Sequence, residues 1–244
     1  MPAARESLLD AAYTALTDRP WAAVRMVEVA AAAGVSRQTL YNEFGSKEGL
    51  ARALVRRETD KCLAGVARAL SRRAPAGGVR GDAAGRVVAA AAWTLRTARA
   101  NPLVRAALTG CWGDRLPPAP TAPADPAPGG AARPGVPAPR AATPGEGPLP
   151  GPDEFVGRFC DQAVAALRPG WPEEELPALD SACETAARLT LSWVLAPPAA
   201  GVAAAPGRVP RQRPRREPDT EAVSHLVRSA FVRMTAGGRP SAGS

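Results

Sequence analysis

Thirteen of the chain's 27 prolines fall between Arg115 and Pro152, a span that also holds six glycines and only three bulky apolar residues, Leu116, Val136 and Leu149. Such a stretch cannot recover its ordering entropy by burial, so it reads as a disordered, polyproline-like loop. A second break, 197–218, carries Arg208, Arg211, Arg213, Arg215 and Arg216 and reads as a solvated linker. The core must therefore come from the segments around these breaks. Those segments are dominated by alanine, 54 residues over the whole chain, and the chain has no isoleucine. Alanine and arginine favour helix, and β-branched residues other than Val and Thr are missing, so the expected class is all-α.

The apolar spacing agrees. Leu8, Leu9, Ala12, Tyr13 and Leu16 share one face of a first helix that Pro20 ends. Met26 to Ala33 reads as a short second helix closed by Gly34. Ser36 is an N-cap candidate for a third helix reaching about Glu43, and Ser46 for a long fourth running towards Arg72. Asp82–Ala100, a shorter helix to about Leu108, Asp153–Leu167 and Leu176–Leu195 follow. A last helix starts near Asp219, with Val223, Leu226, Val227, Ala230, Phe231 and Met234 in one stripe. About nine helices and no strand are expected.

The net charge is +8, but residues 1–73 carry +4 while 153–196 carry −5. A basic N-terminal region suits a polyanionic partner, and suits an arginine-rich solvated surface equally well. The single histidine, His225, and four scattered cysteines (Cys62, Cys111, Cys160, Cys183) without a C-x-x-C pair argue against metal sites and most acid–base chemistry. The chain has no G-x-S-x-G, no P-loop and no dinucleotide fingerprint. No enzyme activity, cofactor or metal is expected. No apolar run reaches 18 residues and the N-terminus lacks a secretory pattern, so the expectation is a cytoplasmic protein with free, buried thiols and no membrane association.

The informative stretch is Met26 to Leu50, MVEVAAAAGVSRQTLYNEFGSKEGL. A helix of small residues, a glycine turn and a short polar helix have the form of a helix-turn-helix, whose second helix enters the DNA major groove. Gly34 permits the positive φ of such a turn, Ala30 and Ala33 allow close approach, and Val35 and Leu40 point inward. Arg37, Gln38, Thr39, Tyr41 and Asn42 then face outward. Arg can bond guanine at O6 and N7, and Gln or Asn adenine at N6 and N7. Thr and Tyr hydroxyls and Lys47 suit phosphates.

Leu8 to Leu54 resembles the DNA-binding domain of TetR-family transcriptional regulators. The resemblance is carried by Ala30, Ala33-Gly34-Val35-Ser36, Thr39-Leu40-Tyr41, Phe44 and Ser46-Lys47-Glu48. It implies an all-α homodimer with a helix-turn-helix domain over 1–50 and a helical effector-binding and dimerisation domain over 51–244. Carried over by position, Arg37, Gln38 and Asn42 contact bases, while Thr39, Tyr41 and Lys47 hold phosphates; Ser36 and Arg25 complete the DNA-binding set. Arg25 departs from the family, which often places Thr or Ser there. Val24–Met26, Ser36–Lys47 and Arg188–Pro198 are also similar to an actinobacterial subgroup that includes repressors of alkane-oxidation and fatty-acid-linked operons.

In the C-terminal region, Leu176–Leu195 and the last helix carry the stripes needed for an intersubunit four-helix bundle. Trp93, Trp112, Phe155 and Phe159 are candidates to line an effector pocket, with Arg96 for an anionic group, although each aromatic suits a plain core as well. The expected function is a repressor released from a palindromic double-stranded DNA operator by a small apolar or amphipathic effector. The alternatives are a DNA-binding protein without effector, or an activator.

Overall fold

The computed structural model describes residues 2–72, 83–117, 151–196 and 218–236. Among them are nine α-helices and no strand, so the all-α class holds. α1 (Pro2–Asp18) leads through a 3-10 turn at Trp21–Ala23 to α2 (Met26–Ala32), α3 (Arg37–Phe44) and α4 (Lys47–Ser71). There follow α5 (Ala83–Ala100), α6 (Pro102–Thr109), α7 (Pro152–Leu167), two 3-10 turns (Arg168–Gly170 and Glu173–Glu175), α8 (Leu176–Leu195) and α9 (Pro218–Ala236). The expected loops fall outside the described residues at 118–150 and 197–217. Their edges are ordered: the Arg115 carbonyl accepts the Trp21 N–H at 2.9 Å, and Pro117 is buried. Pro152 and Pro218 each open a helix, where a missing N–H leaves no bond unmade.

The chain divides into two compact units, one from residues 1–58 and 110–150, the other from 59–109 and 151–244, with the boundary inside α4. In the first unit, Leu8, Leu9, Ala12, Leu40, Leu50 and Leu54 are buried to 2% exposure or less. The Arg57 guanidinium ties α4 to α1, donating to Asp10 at 2.7 Å and to the Leu9 carbonyl at 3.3 Å. α1 stops two residues before Pro20, as the restriction on the residue preceding a proline requires.

The second unit is built on small residues. Ala83, Ala90, Ala91, Ala163, Ala182 and Ala186 are fully buried, which lets α5, α7 and α8 pack closely around Phe155 and Phe159. α4 meets α5 at Gly65, where any Cβ would overlap the Trp93 indole. The indole N–H donates to the Cys62 carbonyl at 3.0 Å. Buried Arg86 donates to the Leu70 carbonyl near the end of α4 and, at 3.0 Å, to the Ala166 carbonyl near the end of α7. One cation thus satisfies acceptors that two helix C-termini leave open. Asn101 caps α6, accepting the Leu103 N–H at 3.0 Å. Cys62, Cys160 and Cys183 are buried as expected, but Cys111 is exposed.

Candidate nucleic-acid interface

The turn between α2 and α3 is closed by backbone geometry. Gly34 has φ +69°. Its N–H donates to the Ala31 carbonyl at 3.1 Å and that of Val35 to the Ala30 carbonyl at 3.0 Å. These two bonds form a Schellman motif, which needs a left-handed residue where Gly34 stands. α3 then opens at Ser36, whose Oγ accepts the Thr39 N–H at 3.0 Å and lies 2.8 Å from Thr39 Oγ1. The Ser36 hydroxyl is therefore occupied as an N-cap, and Thr39 is half-buried beside it.

From that start, period 3.6 sorts the side chains of α3. Leu40 is 0% exposed and Phe44 9%. On the other side Arg37, Gln38 and Asn42 are exposed, with Tyr41 half-buried beside them. Two pairs at i,i+4 organise this face. The Arg37 guanidinium sits 5.2 Å over the Tyr41 ring centroid, and Gln38 Nε2 donates to Asn42 Oδ1 at 2.9 Å. The helix is held from behind by Arg5 of α1, which bonds Glu43 at 2.8 Å and lies 4.9 Å over the Phe44 ring.

Lys47, first residue of α4, is half-buried. Its ammonium donates to the Ala22 carbonyl at 3.1 Å and stands 5.5 Å over the Trp21 ring. Burial pushes its pKa down, and Glu48 beside it acts in the opposite direction. Ser46 caps α4 through the Gly49 N–H at 3.1 Å. Arg25 is the N-cap residue of α2 by backbone position, with no side-chain cap, and its guanidinium is 4.0 Å from Glu28. α2 itself is tied to Arg19, the residue after α1, by Arg19–Glu28 at 2.6 Å. The anchoring roles of Arg5, Trp21 and Ala22 carry no sequence signal, because each acts across a distance in the chain that no local pattern spans.

The four effector-pocket candidates of the second unit do not share one site. Phe155 and Phe159 are core residues, 1% and 0% exposed, with ring centroids 6.3 Å apart. Trp112 belongs to the first unit. Trp93 and Arg96, three residues apart on α5, do share a site: a cavity of about 910 Å³ among α4, α5 and α9. Val88, Ala89 and Ala92 form its apolar floor, and Arg68, Arg72, His225 and Arg228 also line it.

Residues 8–54, which contain α1 from Leu8 onward and all of α2 and α3, match the family model for bacterial regulatory proteins of the tetR family. Through these residues the N-terminal part of the chain is similar to tetR-family regulators. Over 59 residues it is 49% identical to the HTH-type transcriptional regulator AlkX of Mycobacterium tuberculosis (strain H37Rv), covering 24% of this chain and 28% of that one. An uncharacterized HTH-type transcriptional regulator of the same strain is 36% identical over 106 residues, 43% of this chain and 49% of the relative. The matched stretches thus span from about a quarter to about half the length of these curated relatives. Among solved structures, the TetR family repressor AlkX of Dietzia sp. strain DQ12-45-1b, implicated in biodegradation of n-alkanes, superposes with a TM-score of 0.51. It covers 95% of both chains at 20% identity, a likeness of fold. The tetR family is one of transcriptional regulators, and among the described residues no helix is long and apolar enough to cross a membrane.

Proposed function

We propose that this chain is a sequence-specific DNA-binding transcriptional regulator of the tetR type, a repressor that leaves a palindromic operator when a small apolar or amphipathic effector binds its second unit. The observation that carries the reading is the exposed face of α3. Arg37, Gln38 and Asn42 stand in solvent on a helix whose other side is sealed by Leu40 and Phe44. A protein core does not select that set, and a major groove does. Arg37, Gln38 and Asn42 read base edges. Tyr41, Thr39 and Lys47 address phosphates, with Arg25 reaching the backbone beside α2. Ser36 serves the site by capping α3. Lys47 suits its role because the Ala22 carbonyl takes only one of its three protons.

A palindrome requires two copies of α3, so the protein acts as a homodimer, with recognition helices one DNA turn apart, about 34–36 Å. Exposed apolar side chains on the last two helices support this: Leu195 at 54%, Leu226 at 43% and Val232 at 51%. An effector releases DNA only through its differential affinity for two conformations of that dimer.

Affinity measurements on the operator and on random DNA at one salt concentration test the assignment. Arg37→Ala or Gln38→Ala is expected to cost roughly 1–3 kcal/mol on the operator and little on random DNA. Lys47→Gln is expected to weaken both and to lower the salt slope by about 1. Equal losses on both DNAs for Arg37 and Gln38 would refute base reading.

A further inference from the structure

We propose that the cleft among α4, α5 and α9 is a site for a small organic anion with an apolar body, a carboxylate or phosphate head on a hydrocarbon chain. This deepens the effector reading given above by naming the place and chemistry of the ligand, and takes its regulatory meaning from that reading. Arg68 and Arg72 come from α4, Arg96 from α5 and Arg228 from α9, and among the described lining residues Glu221 is the one acidic group. Elsewhere on this unit arginines find carboxylates: Arg158 bonds Asp60 at 3.1 Å and Arg188 bonds Glu184 at 2.8 Å. Among the described residues, Arg72, Arg96 and Arg228 make no ion pair or side-chain hydrogen bond. Like charges gathered around one concavity repel each other, and an anion seated among them removes that repulsion.

The floor sets the rest of the ligand. It is apolar and made of small side chains, Val88, Ala89 and Ala92, with Trp93 held as a wall by its bond to the Cys62 carbonyl. Arg68 lies 5.8 Å over the Trp93 ring, which keeps one cation against the apolar surface. The cavity volume of about 910 Å³ lies within the range of small-molecule sites, roughly 300–1,000 Å³. A bare inorganic anion leaves that floor empty, and a neutral chain leaves the arginines without a partner. The amphiphilic anion satisfies both.

The test is isothermal titration calorimetry of the full chain without DNA, using decyl phosphate, decanoate, decanol and inorganic phosphate as probes. One molecule of decyl phosphate or decanoate is expected per chain, with decanol and inorganic phosphate each weaker by roughly tenfold or more, because the arginines add charge-assisted bonds to the head. The stronger of the two anionic probes identifies the head. Arg96→Gln with Arg228→Gln, both exposed and therefore tolerant of change, is expected to bring the anions to the level of decanol. On the unaltered protein, added salt is expected to weaken the anions and leave decanol unchanged. Decanol binding as tightly as the anions, inorganic phosphate matching decyl phosphate, or anion affinity indifferent to both arginine changes and salt would each overturn the proposal. No operator enters this titration, so failure here leaves the DNA-binding reading standing, and failure of that reading leaves this result standing.

Discussion

Gly65→Ala is expected to destabilise the protein, although the same substitution ordinarily stabilises a helix. Replacing glycine by alanine inside α4 gains about 1 kcal/mol of helix propensity. The added methyl, however, enters space held by the Trp93 indole. Overpacking of this kind costs typically 1–3 kcal/mol. A ring pushed aside by the methyl also gives up its bond to the Cys62 carbonyl, a further ~0.5–1.5 kcal/mol. The net expectation is a loss of about 0.5–3.5 kcal/mol. Gly157 provides the control: it lies within α7, and a Cβ there meets nothing within 4 Å. Gly157→Ala should therefore stabilise by roughly 0.5–1 kcal/mol. Urea unfolding followed by circular dichroism reads both, as opposite shifts of midpoint at unchanged slope. Adding Trp93→Leu to Gly65→Ala should cost less than the two separate losses combined, since the smaller side chain vacates the disputed space. A stabilising Gly65→Ala would refute the close approach of α4 to α5 and, with it, the wall of the proposed ligand cleft.

Three other outcomes are open to measurement. Ser36→Ala should cost about 0.5–2 kcal/mol in thermal or urea unfolding, and Ser36→Asp should restore most of it, because the loss is that of a cap on the Thr39 N–H; a neutral Ser36→Ala would mean that α3 is capped by something else. In the native protein a thiol reagent at pH 8 should modify Cys111 alone, and four cysteines after unfolding, since burial removes the other three and pushes Cys62 and Cys183 up to about 12 and Cys160 to about 11. The unfolded chain gives up thiol protons from roughly pH 8.5 while the folded one retains them, so these residues' contribution to stability is complete below that pH and declines as pH rises towards 11–12; a stability flat across that window contradicts their burial. Leu226→Asp with Val232→Asp should give a monomer by sedimentation without loss of helix, because both are exposed in the single chain but a charge there is stranded in a dimer interface; an unaltered dimer would place the interface elsewhere.

What was legible in the chain was local. Gly34 as the closing residue of α2 and Ser36 and Ser46 as caps depend on contacts within a few residues, and the bounds of α8 at Leu176 and Leu195 follow from its own periodicity. The outward set on α3 follows from Leu40 and Phe44 being its apolar residues. What was not legible depends on distant partners. Arg86 reads as one more helix arginine, yet it is buried against the carbonyls of Leu70 and Ala166, 16 and 80 residues away. Phe155 and Trp93 are both large apolar residues on amphipathic helices, and periodicity alone cannot say that one fills the core while the other walls a cleft closed by α9. The loops also read differently at their edges, because Arg115 finds a backbone donor in Trp21 nearly a hundred positions earlier.

The two side-chain pairs on α3 raise the question whether they hinder or help a base-reading surface. An eight-residue helix is too short to persist alone, so its direction is imposed by Leu40, Phe44 and the Arg5–Glu43 pair behind it. The side chains in front have no such support, and ordering each on binding costs about 0.5–1.5 kcal/mol. Arg37 on Tyr41 and Gln38 on Asn42 meet part of that cost before DNA arrives. Pairs at i,i+4 on an exposed helix are worth only about 0.2–0.5 kcal/mol each, whereas a bidentate base contact discriminates by about 1–3 kcal/mol. The internal pairs are therefore too weak to hold these groups away from a matching base, yet strong enough to narrow the rotamers from which they start. Gln38 need not even release Asn42, since its amide retains one proton and its oxygen, the donor and acceptor that the N7 and N6 edge of adenine requires. Arg37, by contrast, must leave the Tyr41 ring to reach a guanine edge, so Tyr41→Ala, besides the uniform loss of its phosphate bond on all DNA, should change the discrimination against other bases at the guanine position and leave that at the adenine read by Gln38 untouched, as measured by affinities on single-base operator variants.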